Sequence, residues 1–238
     1  MSAATPATAA RERIDDELEL MRRVLPLAGA RVIDLGCGNA AMDLRLLDEG
    51  LVASVDGLEV DEVQHRRNLQ RPARAGLAFH LAGADDIPMA DASFDLALMF
   101  KSLHHVPVDR MDRALAEIAR VLVPGGMLYV SEPVFDGEFN EIVRLFHDEQ
   151  RVRAEALAAL HRAAAAGTLQ WVDEIHFDTP LSFRDYDDFD RRIVKVTHTQ
   201  HDLAPELEAE VRRRFEAHVG PDGARFVRPM RVNLLRRP

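Results

Sequence analysis

The sequence predicts an α/β protein built on an open, mostly parallel sheet with helices on both faces. Three observations carry that reading. Residues 32–40, VIDLGCGNA, run from an apolar strand through a glycine turn into a helix-prone stretch. Short apolar runs then alternate with segments of helical periodicity as far as residue 133, the pattern of repeated strand–helix–strand units. A length of 238 residues with 47% apolar content suits one domain with an elaboration better than two independent domains.

Composition excludes several classes of function. A formal charge of −10 argues against a nucleic-acid backbone as the main partner, because phosphate contacts need clustered Lys and Arg. No apolar stretch reaches the roughly 20 residues of a membrane span, and the start of the sequence lacks the pattern of a signal peptide. A cytoplasmic protein acting on a small molecule is therefore expected. Cys37 is the only cysteine, so neither an intrachain disulfide nor a cysteine-based metal site is expected, and its place inside the glycine turn suits a small filler.

The first segment with a pattern holds Ile14, Leu18, Met21 and Leu25 at helical spacing. This amphipathic helix either packs on the sheet or closes over a ligand. Strand one follows and ends in Asp34. Gly36 and Gly38 then allow close approach of a ligand, and the helix start behind them presents unpaired N–H groups. Gly36, Gly38 and Ala41 also fit a dinucleotide fingerprint, but that would put a pyrophosphate beside the Asp34 carboxylate. A ligand carrying an ammonium suits Asp34 better. The run Asp34-Leu35-Gly36-Cys37-Gly38-Asn39-Ala40 resembles motif I of the class I S-adenosylmethionine-dependent methyltransferases, with Ala40 in place of the last glycine. The resemblance implies S-adenosyl-L-methionine as cofactor, a Rossmann-like sheet of seven strands, and contacts from Asp34, Gly36, Cys37 and Gly38.

Strand two is expected at 51–59 and ends acidic. Glu59 and Asp56 are both candidates for a carboxylate on the ribose hydroxyls. Glu59 is preferred, because it falls about twenty residues past the glycine turn and because Gly57-Leu58-Glu59-Val60-Asp61 resembles the family's segment at this point. Val60 is then a cofactor neighbour. A surface helix is expected at 61–71 and strand three at 77–81. Residues 82–100 resemble the family's adenine loop and fourth strand, which implies that Ala84, Asp85 and Phe100 border the cofactor. The segment departs from the pattern at Gly83, where the family usually has an acidic residue; Asp85 is the nearest replacement.

Lys101-Ser102-Leu103-His104-His105-Val106 follows strand four directly, at the carboxyl end of the sheet where ligands of such folds sit. Lys101, His104 and His105 are the catalytic candidates. A histidine here suits a general base, since its pKa lies near neutrality. A helix is expected over 111–123, then a turn through Pro124-Gly125-Gly126 into strand five at 127–130. The resemblance covers 31–132.

Beyond residue 133 the family pattern fades. A helical insertion over 134–190 is expected to cap the substrate; the alternatives are packing on the sheet edge or formation of a homodimer. Strand six is expected at 193–197, a helix at 204–218 and a last strand at 224–235, interrupted at Pro229. His198 and His201 have metal-like spacing, but no third ligand stands nearby in a supporting pattern, so no metal site is expected. The chain thus divides into a cofactor-binding core (10–133), the insertion and a final segment (191–238) of one domain. Its leading function is methyl transfer to a small molecule. The alternative is a non-catalytic cofactor-binding module that engages a protein partner.

Overall fold

A computed structural model describes residues 11–195 and 203–238. The chain enters as a two-residue strand, β1 (Glu12–Arg13), and helix α1 (Glu17–Val24). Asp16 starts α1 by accepting a hydrogen bond from the Leu18 N–H, 3.1 Å away, which satisfies one of the free donors of the first turn. The apolar stripe of α1 buries Leu18, Leu20 and Met21 against the sheet, and the Tyr129 hydroxyl donates to Glu17 at 2.9 Å. The helix therefore packs on the sheet.

The strand–helix alternation follows: β2 (Ala30–Leu35), α2 (Ala41–Asp48), β3 (Val52–Glu59), α3 (Glu62–Leu69), β4 (Leu77–Leu81), β5 (Phe94–Phe100), α4 (Met111–Val121) and β6 (Leu122–Pro133). Next come α5 (Glu138–Val143), α6 (Gln150–Ala165), β7 (Gln170–Phe183), α7 (Tyr186–Phe189), α8 (Pro205–Glu216), the two-residue β8 (Val219–Gly220) and β9 (Gly223–Arg236). Among the described residues the sheet has nine strands in the order β1-β7-β9-β6-β5-β2-β3-β4, with β8 paired to β9. The neighbours from β6 through β5, β2 and β3 to β4 are parallel, whereas β9 runs antiparallel between β6 and β7. Because β2 lies between β3 and β5, the order reverses there. Such a switch point opens a crevice at the carboxyl ends of the strands.

Alternate residues of each strand serve opposite faces. Ile33, Leu35 and Met99 pack with Leu115 and Ile118 of α4 and Leu160 of α6. Val32, Val55 and Leu98 pack with Leu18 and Met21 of α1 and Leu46 of α2. A third core stands beyond the sheet, where Phe139, Phe183, Phe189, Phe215 and Phe226 join Tyr186. It draws on both sides of residue 190, so the aromatic packing is continuous across the expected boundary of the insertion.

The architecture corrects the sequence reading in four places. The sheet has nine strands, not seven, because two two-residue pairings, β1 and β8, extend it. The strand expected at 193–197 lies earlier, as β7: Ile193 and Val194 belong to a π-helical turn, Asp190–Val194, and residues 196 and 197 fall outside the described residues, as do His198 and His201. As a result, the stretch 134–190 is helical at α5, α6 and the short α7, with β7 between α6 and α7. Only Phe177 and Phe183 of β7 are fully buried, Pro180 interrupts its pattern, and a bulge between Trp171 and Asp173 breaks its alternation. Lastly, Pro124-Gly125-Gly126 lies inside β6 at an irregularity in its pairing with β5, and β9 runs through Pro229 unbroken. Among the described residues no helix is long and apolar enough to cross a membrane.

Candidate active site

The end of β2 carries a buried carboxyl, Asp34, whose Oδ1 has no hydrogen-bond partner. Beside it stands Asp43, fully buried at 0% exposure on the first turn of α2, with neither oxygen supplied by a donor. Two carboxyls that face each other without a donor can form a hydrogen bond only by keeping a proton between them. Burial, with the charge of Asp43 added, pushes Asp34 well above the usual carboxylate range, and burial pushes Asp43 up as well. The site thus holds an unspent demand for positive charge.

The glycine turn wraps this pair. Gly36 has φ +84°, and a Cβ there would lie 2.7 Å from Ser102 Cβ. Its bareness serves the closure of the β2 end on the segment after β5, where Ser102 Oγ donates to the Leu35 carbonyl at 2.7 Å. Gly38 has φ +53° with nothing within 4 Å of a Cβ position, so the open space of the turn lies there. The Gly38 N–H donates to Glu59 Oε2 at 2.9 Å, while Glu59 Oε1 receives the N–H groups of Val60 (2.8 Å) and Asp61 (2.9 Å). Glu59 is buried at the end of β3, and Oε2 keeps a second lone pair beyond the one that takes the Gly38 N–H. Cys37 is buried as a filler, and Asn68 of α3 donates to the Gly38 carbonyl at 2.7 Å. Asp56 instead faces β4, bonded to His80 Nε2 at 2.8 Å.

Val60 is 68% exposed at the rim, and Gly83 is its neighbour, since a Cβ on Gly83 would come 3.6 Å from Val60 Cγ1 and 2.7 Å from Asp85 Oδ1. The departure at Gly83 thus makes room for the Asp85 carboxylate, which pairs with Arg110 at 3.3 Å. Ala84 is buried beside it. Phe100 packs with the α1-side core, its ring 5.7 Å from Tyr129, which gives it a packing position.

After β5 the chain turns through Lys101, in a left-handed conformation with φ +52°. Burial and the charge of Arg228 lower the pKa of its ammonium against the pull of Glu17, Glu132 and Asp34. A 3-10 turn, Leu103–His105, follows, and Glu132 of β6 accepts its first N–H, from Leu103, at 2.9 Å. His104 is buried between two carboxylates, with Nδ1 bonded to Glu132 and Nε2 3.3 Å from Glu149 Oε1. Burial works against charge on this ring, but the hydrogen bonds to Glu132 and Glu149 outweigh it and raise the pKa to about 9. Both ring nitrogens of His104 are thus engaged by carboxylates, and its raised pKa disfavours the role of general base. Glu149 also meets His147 Nε2 at 2.8 Å and Arg153 at 2.5 Å; burial opposes its charge, but these partners hold it well below the usual range. His105 is exposed, its ring centroid 4.1 Å from that of His104.

The fold thus brings Asp34, the glycine turn and Glu59 to the ends of β2 and β3, with Val60, Ala84 and Asp85 at the rim and Lys101, His104 and His105 on the segment after β5, and packs the partly buried Phe100 against the α1-side core. Sequence reasoning missed Asp43, Asn68, Glu132, His147 and Glu149. Only the HDE run at 147–149 carried a signal, three titratable residues just before a helix.

Residues 33–130 match a family model described as a methyltransferase domain. Among curated proteins, the chain is 38% identical over 125 residues to 27-O-demethylrifamycin SV methyltransferase of Amycolatopsis mediterranei, covering 50% of this chain and 44% of that one. The chain spans about half the length of the curated relatives it matches. Among solved structures, the YcgJ protein of Bacillus subtilis superposes with TM-score 0.62 at 18% identity over 92% of this chain and 97% of that one. The [4+2]-cyclase SpnF superposes with TM-score 0.58 at 19% identity, covering 98% of this chain and 88% of its own. The chain shares the fold of these solved structures. Residues 33–130 are thus similar to a methyltransferase domain, and S-adenosyl-L-methionine is the cofactor that this similarity implies. The donor set fits that cofactor: an unpartnered buried carboxyl pair suits an ammonium, and the same carboxyls would repel a phosphate.

Proposed function

We propose that this chain transfers the methyl group of S-adenosylmethionine to a hydroxyl of a small organic acceptor. The observation that carries the reading is the unpartnered Asp34–Asp43 pair beneath an open glycine turn, with Glu59 one strand away. When bound, the cofactor supplies a methyl on a positively charged sulfur that leaves as a neutral thioether.

In this reading Asp34, with Asp43 behind it, takes the ammonium of the methionine arm, and the backbone at Cys37 and Gly38 lines it. Glu59 takes a ribose hydroxyl on the free side of Oε2. Val60 and Ala84 flank the adenine, and Asp85 accepts from its amino group. The acceptor oxygen approaches the methyl opposite the sulfur, and the protein contributes alignment and exclusion of water. Helices α5 and α6 cover the acceptor. Oxygen is the proposed acceptor atom because the relative from Amycolatopsis is named for a 27-O-demethyl substrate.

A hydroxyl must lose its proton as the new bond forms. His105 serves this need as the exposed member of the histidine pair, since His104 is committed to Glu132 and Glu149. His105→Ala is expected to leave cofactor affinity unchanged and to lower turnover by about two to four powers of ten.

The test is incubation with methyl-labelled S-adenosylmethionine and fractionated metabolite pools, read by mass spectrometry. Formation of S-adenosylhomocysteine together with one labelled methyl on a small molecule is expected. Cofactor binding with no S-adenosylhomocysteine in any pool would favour a fold used for other ends, as the name of the cyclase neighbour illustrates.

A further inference from the structure

The turn after β5 and the link between α5 and α6 bring nitrogen and oxygen ligands together from distant parts of the sequence. One ligand atom from each of His104, His105 and Glu149 lies within 4.8 Å of the other two. His104 Nε2 and Glu149 Oε1 are 3.3 Å apart. A tetrahedral ion with bonds of about 2.0 to 2.2 Å spaces its ligand atoms by roughly 3.3 to 3.6 Å, so this pair already stands at the required separation. His147 Nε2 reaches the same oxygen of Glu149 at 2.8 Å.

The surroundings match those of a metal ligand. The other ring nitrogen of His104 is held by Glu132, and a carboxylate behind a histidine fixes its orientation, so that an ion replacing the proton between Nε2 and Glu149 would meet both ligands. Glu132 is itself fixed by the Leu103 N–H. His105 follows His104 on the same 3-10 turn, its ring centroid 4.1 Å away, which places a third ligand atom beside the His104–Glu149 pair. His105 is exposed, so the cluster opens on that side.

We propose that His104, His105 and Glu149 bind one divalent transition-metal ion, with His147 as a fourth ligand or as the support of the Glu149 carboxylate. Imidazoles with one carboxylate select zinc, cobalt, iron or manganese over calcium and magnesium, which take oxygen ligands. Three protein ligands with an open position are the pattern of a catalytic ion, which acidifies an oxygen bound to it. That use rests on the methyl-transfer reading and would make His105 a ligand of the ion and not the general base; binding of the ion does not depend on it.

The experiment strips the untagged full chain with a chelator and titrates cobalt(II), reading visible absorption, with zinc calorimetry in parallel. Neither cofactor nor acceptor is present, so failure here is distinct from failure of the methyl-transfer reading. One ion per chain is expected, with intense visible bands of a four- or five-coordinate site. His105→Ala, at an exposed position, and Glu149→Gln should each weaken binding about a hundredfold or more, with circular dichroism and S-adenosylmethionine affinity as fold controls. No saturable binding by the wild type, or wild-type affinity in folded His105→Ala, would overturn the site.

Discussion

At the residue scale, the proposed cofactor site should respond to pH through its buried carboxyl pair. Asp34 and Asp43 are both pushed above the carboxylate range, so the ligand-free site keeps a proton that the unfolded chain would lose. An ammonium favours the ionised pair, so binding releases a proton and affinity rises with pH through about 6, where Asp43 titrates. Calorimetry in buffers of different ionisation enthalpy measures that release, and none would remove the pair from the cradle. Glu59→Gln should weaken the cofactor by about 1 to 3 kcal/mol, since an amide keeps part of the network. Asp56→Asn should leave cofactor affinity unchanged, because Asp56 is spent on His80; a cofactor titration of both variants checks the ranking. Asp34 and Glu59 were legible in the sequence because motif and spacing mark them. Asp43 was not, since only burial separates it from an ordinary first-turn acid of a helix.

At the element scale, the site depends on how the β2 turn closes on the segment after β5. Gly36 combines a left-handed conformation with contact against Ser102, so its side chain is excluded by the protein itself. Gly36→Val should therefore lower stability as well as abolish cofactor binding, with the backbone conformation alone costing about 1 to 3 kcal/mol. Denaturant unfolding checks this, and unchanged stability would return the exclusion to the ligand. The strands from β2 to β5 were readable because each is a short apolar run between turn residues. β7 was hidden for the opposite reason: it lies near the sheet edge, needs few apolar side chains, and carries Pro180 in its middle. The histidine cluster was unreadable because its carboxylates, Glu132 and Glu149, come from β6 and from the link before α6, and only folding brings them to His104.

At the scale of the whole molecule, stability and ligand are linked through the same charges. For carboxyls whose folded pKa is raised, stability is fully present below the unfolded value and is lost as pH rises through the folded values. Asp34 and Asp43 therefore make the ligand-free chain less stable as pH climbs from about 4 past 6. Asp16, Asp95 and Glu117 are lowered by their arginine partners and act oppositely, losing their contribution only as pH falls below about 4. Thermal unfolding should show the decline near neutrality, and the cofactor should reverse it. The most direct measurement of the central claim is calorimetric titration of S-adenosylmethionine into wild type and Asp34→Ala. The account predicts one bound molecule per wild-type chain, tighter at higher pH, and no detectable binding to a folded Asp34→Ala chain. Normal binding by folded Asp34→Ala would contradict it.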